Sequence, residues 1–273
     1  MSTRASTLLL YRDAALGILA RDWTVFKSYR MQFFGQIISL FMGLALFYFL
    51  SHLVSVKSFG SHSKYFAYVV LGLIMVQVLQ STMMVATGLQ SELVAGTFER
   101  VLLSPFGGVA AALSMMIFPF CSACISALIT LLFGIEVFGL HIHWATAPLA
   151  IPIALLGTGA FTAFGLIFAC SAVIFKQVVG GAGLMLTGIS LVSGLYFPIT
   201  LLPGWLKWFS NVQPFTPTVE LLRHTLVQTP LTHSSVVDLA KIIGFVLVFL
   251  PLSVLFLGKA MRIGQRRGTI IEY

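Results

Sequence analysis

The sequence predicts an all-α polytopic membrane protein with six transmembrane helices. Composition, the length of the apolar runs and the placement of basic residues predict it. Hydrophobic residues fill 58% of 273 positions and charged ones 9%, with mean hydropathy +1.00. A soluble domain carries about 25% charged residues, so this chain could not cover its own surface in water. The runs are continuously apolar instead of alternating. That selects helices over a barrel, because in lipid each segment has to satisfy its own backbone polar groups.

Residues 1–30 read as an amphipathic helix lying on the cytoplasmic interface. Leu8, Tyr11, Ala15, Ile18, Leu19 and Phe26 recur at helical spacing, with Arg12 and Asp22 intruding on the stripe. Asp13, Arg21, Asp22, Lys27 and Arg30 interrupt the apolar positions too often for a signal peptide. Six runs follow at about 31–54, 65–89, 108–132, 148–175, 178–196 and 241–257. Each is near the ~20 residues that a ~30 Å hydrocarbon core requires. They make one transmembrane domain over 1–273, with a six-span bundle at 31–260 and a cytoplasmic tail at 261–273.

An even number of spans puts both termini on one side. That side holds Arg4, Arg12, Arg21, Lys27, Arg30, Arg100, Lys176, Lys259, Arg262, Arg266 and Arg267, eleven of the sixteen basic residues. The other side, counting helix ends, holds Lys57, Lys64, Lys207, Arg223 and Lys241. Lys and Arg favour the cytoplasm, so both termini are expected there. Tyr48, Tyr65, Tyr68, Trp144, Tyr196, Trp205 and Trp208 then fall near the outer interface, with Trp23 and Tyr29 near the inner one. Orientation and anionic membrane lipids account for the net charge of +8, and no nucleic acid is needed.

Two segments break the apolar pattern. Residues 92–100 read Glu-Leu-Val-Ala-Gly-Thr-Phe-Glu-Arg, a charged island ahead of the helix-breaking Ser104-Pro105. If helical, the island places Glu92 on one face with Gly96 and with Glu99. Gly96 allows close approach, while the carboxylates and Arg100 offer docking bonds to a partner outside the bilayer. An ordinary solvated loop is the alternative, weakened because the similar loop 136–147 lacks such clustering. The second segment runs from Gly194 through Phe197, Pro198, Leu202, Pro203, Trp205, Pro214, Pro217 and Glu220 to Arg223. Its prolines cut it into pieces too short to cross, yet it is too apolar for a free loop. Short re-entrant helices that gate an exit satisfy both facts; an interfacial cap satisfies them equally.

Polar residues inside the runs are either cavity lining or interhelical glue worth about 1 kcal/mol each. They include Gln32, Gln36 and Ser39, then Gln77, Gln80, Ser81 and Thr82, and later Thr187, Ser190 and Ser193. Gly157, Gly159, Gly165, Gly180, Gly181 and Gly183 suit close helix packing. No metal centre is expected. Cys121, Cys124 and Cys170 read as small packing residues, and His52, His62, His141, His143, His224 and His233 as loop histidines, with His141 and His143 a weak pair. No ionisable side chain sits mid-span, which disfavours an ion-coupled secondary transporter, as does the absence of an evident inverted repeat. An intramembrane enzyme lacks a buried nucleophile, base or metal cluster.

In order and spacing, the two segments resemble the permease subunits of type-2 ABC exporters. The matching residues are Gly96-Thr97-Phe98-Glu99-Arg100, then Phe197-Pro198 and Leu202-Pro203-Gly204-Trp205-Leu206 with Pro214, Glu220 and Arg223. The resemblance implies a cytoplasmic coupling helix between spans two and three that carries Glu92, Gly96, Thr97, Glu99 and Arg100. It also implies an outer re-entrant gate between spans five and six, a second permease copy (the same chain or a different one) and two copies of a cytoplasmic ABC ATPase. ATP and Mg belong to that ATPase, and the setting is a bacterial-type inner membrane. The chain's own Lys27-Ser28 and Lys57-Ser58 lack the glycine that a phosphate loop places before its lysine, so no cofactor and no hydrolysis are expected here. Alternating access of a cavity lined by Gln36, Gln77, Gln80, Ser81, Thr187 and Ser190 is the expected mechanism. Interior phenylalanines and methionines favour an amphiphilic drug or lipid over the alternative cargo, a polysaccharide or lipid-linked glycan.

Overall fold

The computed structural model describes residues 2–53, 61–102, 107–175 and 179–267, and every regular element assigned there is helical. In chain order the helices are α1 (Ser2–Ser28), α2 (Arg30–Leu53), α3 (His62–Val94), α4 (Phe98–Leu102), α5 (Gly108–Ser114) and α6 (Ile117–Glu136). They continue as α7 (Ala150–Phe175), α8 (Val179–Val192), α9 (Gly204–Val212), α10 (Phe215–Val227) and α11 (Ser235–Arg267). Ser104-Pro105, Lys57, Lys176 and the end of the tail lie outside the described residues.

Among the described residues, five helical stretches are long and apolar enough to cross a membrane: Phe33–Leu53, His62–Val94, Gly108–Glu136, Ala147–Phe175 and Ser235–Arg266. The expected crossing at 178–196 is not among them. Helix α8 is described over 14 residues, about 21 Å at 1.5 Å per residue, and residues 176–178 ahead of it lie outside the described ones. It ends where Gly194 turns the chain with φ +70°, a conformation that a side chain disfavours. The run at 108–132 is also divided. Its two helices meet at Met115–Met116, because Pro119 lacks the N–H that an unbroken helix would give the Met115 carbonyl.

Helix α3 is the axis of the bundle. In its most apolar window 72% of residues are buried, against 6% for the first stretch and 11% for the last, so α2 and α11 flank it. Glycines set the distance between α3 and α7. A Cβ on Gly165 would lie 2.3 Å from the Thr82 carbonyl oxygen, and one on Gly157 2.2 Å from Thr218 Cγ2 of α10. Gly181 and Gly183 of α8 have nothing within 4 Å, so the packing read for the fourth run does not extend to the fifth. Two apolar clusters result. One gathers Phe66, Leu79, Phe161, Leu195 and Phe215 toward the His62 end of α3. The other gathers Leu89, Leu93, Phe98, Leu166 and Leu257 toward its Val94 end.

Candidate functional site

The charged island does not form one helix. Helix α3 stops at Val94, and Gly96 takes φ +67°. The Gly96 N–H donates to the Leu93 carbonyl and the Thr97 N–H to the Glu92 carbonyl, the Schellman arrangement that satisfies the last carbonyls of a helix. This corrects the expectation that Glu92 shares a helix face with Gly96 and Glu99. Glycine is there to reverse the chain, and α4 then starts in a new direction. Phe98 is the pivot. Its side chain is fully buried among Leu93, Ala111, Ala112 and Met261, while Glu99 is half-buried and Arg100 exposed.

Glu92 is spoken for within the chain. Arg21 of α1 donates to Glu92 Oε1 at 2.6 Å and to Asp22 Oδ1 at 2.9 Å, and the Thr97 hydroxyl donates to the other Glu92 oxygen. Burial lowers the Arg21 pKa, but Asp22 and then Glu92 more than offset this and leave it raised. The island is thus clamped to the N-terminal helix. Sequence reasoning missed Arg21 and Phe98. The visible signal was an aromatic residue in a stretch otherwise suited to water.

At the other end of α3, Arg223 of α10 is 2% exposed. Its guanidinium donates to the carbonyls of Tyr68 (3.1 Å), Gly194 (2.9 Å) and Leu195 (2.8 Å), and Cζ sits 3.3 Å from the centre of the Tyr68 ring. Tyr68 also donates its hydroxyl to the Gly194 carbonyl at 2.9 Å. The carbonyls freed where α8 ends therefore meet a cation rather than lipid. Gly72 makes room, since a Cβ there would lie 1.9 Å from the Leu195 carbonyl oxygen. Tyr68, read from sequence as an interface anchor, and Gly72, not singled out at all, are the partners that Arg223 needs.

The remaining residues of this segment are spread around that latch. Leu202 and Pro214 are buried, Phe197 and Pro198 half-buried, and Pro203 and Trp205 exposed. Gln213 donates to Ser193 Oγ at 2.8 Å, and Ser210 shares a hydrogen bond with Thr216 at 3.0 Å. These contacts tie α9 and α10 to the end of α8. Glu220 accepts from the Thr232 hydroxyl at 2.8 Å.

Two clefts open on the bundle. One, of about 280 Å³, is lined by Ser81, Thr82, Met116, Phe120, Thr158 and Thr162. The other, of about 390 Å³, lies where α1, α2, α3 and α6 meet, with Phe26, Phe33, Met84 and Phe118 as walls and Arg21, Glu92 and Gln36 as its polar part. Of the residues expected to line a cavity, Ser81 faces the first cleft and Gln36 the second. Gln36 also donates to Ser126 (3.1 Å) and Gln77 to Thr130 (3.0 Å), linking α6 to α2 and α3. Gln80 and Thr187 are exposed and Ser190 is buried, and neither cleft includes Gln77, Gln80, Thr187 or Ser190.

A multi-span helical chain with a charged turn at one end and folded-back helices at the other has the architecture of a membrane transport subunit. Residues 15–227 match the ABC-2 type transporter family, and the chain belongs to that family. It is also similar to nodulation protein J of Rhizobium meliloti (strain 1021), at 24% identity over 93 residues. That alignment covers 34% of this chain and 36% of the nodulation protein.

Proposed function

We propose that this chain is the membrane half of an ATP-driven exporter, moving a hydrophobic or amphiphilic substrate outward by alternating access while a separate ATPase hydrolyses ATP. The observation that carries this reading is the build of residues 92–100. An apolar pivot, Phe98, sits in the core, and Glu99 and Arg100 stand on its outer side. Such a turn receives a push from a docked protein and passes it to the cluster in which α3, α7 and α11 meet. In this reading the Val94 end of α3 and both termini are cytoplasmic. Segment 194–223 forms the outer gate, α8 completes a sixth crossing within a bacterial-type inner membrane, and two copies of the chain assemble on two ATPases.

The larger cleft supports the choice of cargo. Its aromatic and methionine walls suit an apolar body, and Arg21, Glu92 and Ser91 at its polar part suit a head group. The deciding experiment reconstitutes the chain in proteoliposomes with its ABC ATPase and follows ATP-dependent movement of fluorescent amphiphiles. Glu99→Ala and Arg100→Ala should abolish transport while the protein remains inserted and folded. Transport driven by an ion gradient with no ATPase present would overturn the proposal.

A further inference from the structure

Three side chains, one of them Glu220 of the proposed outer gate, converge beside the Arg223 latch. Glu220 comes from α10, His233 from the loop after it and Asp238 from the first turn of α11, and one donor atom from each lies within 4.8 Å of the others. Asp238 is 1% exposed, so its carboxylate has given up water, and a buried carboxylate is costly unless it is paired. Its pairing is incomplete. Lys241 Nζ stands 3.8 Å from Oδ1 and His233 Nδ1 4.0 Å from the same atom, both beyond hydrogen-bond reach. Among the described residues no donor reaches Asp238 Oδ2 at all.

We infer that Glu220, His233 and Asp238 form a binding site for a divalent transition-metal ion of the zinc type. Two carboxylates and an imidazole are the donor set such ions take. Calcium and magnesium prefer shells made of oxygen alone. Tetrahedral bonds of ~2.0–2.2 Å to nitrogen and oxygen put donors ~3.3–3.6 Å apart, so the widest pair needs to close by up to about 1.2 Å, within reach of side-chain rotation. His233 is free to turn, because its side chain is 39% exposed. The ion supplies the positive charge that Lys241 offers from too far away, and Lys241, itself partly exposed, withdraws toward solvent. Arg223, the other nearby cation, directs its donors at the carbonyls of Tyr68, Gly194 and Leu195. The Thr232 hydroxyl donates to Glu220 Oε1 at 2.8 Å, as outer partners of metal ligands do.

The consequence is mechanical. A metal bridging α10 to the start of α11 fastens the folded-back segment to the last long helix. Through Arg223, three residues beyond Glu220, the brace extends to α3 and the end of α8.

The test uses the full chain in lipid nanodiscs, stripped with a chelator and titrated calorimetrically with zinc sulfate. The expected result is one zinc per chain, with His233→Ala and Glu220→Gln each weakening binding by at least the ~10-fold that loss of an outer partner costs. Zinc should raise the melting temperature of the wild-type chain and leave that of His233→Ala unchanged. The double change His141→Ala with His143→Ala should bind as the wild type does. The inference is overturned if the wild type shows no saturable zinc binding, if His233→Ala and Glu220→Gln bind equally well, or if the His141 and His143 changes remove the binding. It is overturned in its choice of ion if calcium at the same concentration gives the same thermal shift.

Discussion

The two ends of α3 solve opposite problems. At the Val94 end an apolar ring is buried and charges stand outside it; at the His62 end a charge is buried and apolar side chains stand outside it. Phe98 is held by shape in a close-packed cluster. Arg223 is held by three directed hydrogen bonds to carbonyls. The first arrangement leaves Glu99 and Arg100 on the outer side of the ring, where the proposed coupling would use them. The second fixes the fold of a segment too broken by proline to hold itself.

The largest effect should therefore come from Arg223→Ala. It removes a charged donor from three carbonyls, of which Gly194 keeps the Tyr68 hydroxyl, and we expect a loss of about 4 kcal/mol in thermal unfolding of the detergent-solubilised chain. Gly72→Ala should do similar damage by displacing the Leu195 carbonyl, and the two changes together should be less than additive. An additive pair would mean that the latch is two independent contacts. Phe98→Ala comes next, at about 3 kcal/mol for a truncated core aromatic, whereas Phe98→Leu should recover most of it. Gly96→Ala should cost about 1 kcal/mol, the penalty of a left-handed conformation at a residue with a Cβ. Smallest for stability is Arg100→Ala, within about 0.5 kcal/mol as for other exposed sites. If the coupling proposal holds, this change should still lower co-purification of the ATPase strongly. If Arg100→Ala instead unfolds the chain, the contrast between the two ends is lost.

The salt dependence offers a finer cut. The Arg21–Glu92 pair is partly exposed, so Arg21→Gln should cost less than about 1 kcal/mol, and less still in high salt. The Arg223 contacts are buried and should be insensitive to salt over the same range.

Sequence reasoning saw the long apolar helices because solvent writes them directly into composition, and it located both broken segments because proline and charge are conspicuous in lipid. It did not see how those segments fold. Gly96 was read as a place for close approach, and only the hydrogen bonds of Thr97 and Gly96 to α3 identify it as a chain reversal. Arg223 was singled out through resemblance, but its partners are backbone carbonyls, which no residue name announces. The run at 178–196 was read as a crossing because it is apolar, and its helix is described over Val179–Val192. That helix ends ahead of Gly194, which permits a turn where a distant arginine donates to the carbonyls. Long-range compensation of this kind has no local signature.

Phe98 has one more consequence. Close-packed matter hardly compresses, so a shove on that ring cannot be absorbed where it lands. Leu93, Ala111, Leu166 and Leu257 belong to different helices and to the same cluster, and they must shift together or not at all. Any stroke delivered there is shared out like the thrust on a keystone, and no single helix serves as the connecting rod.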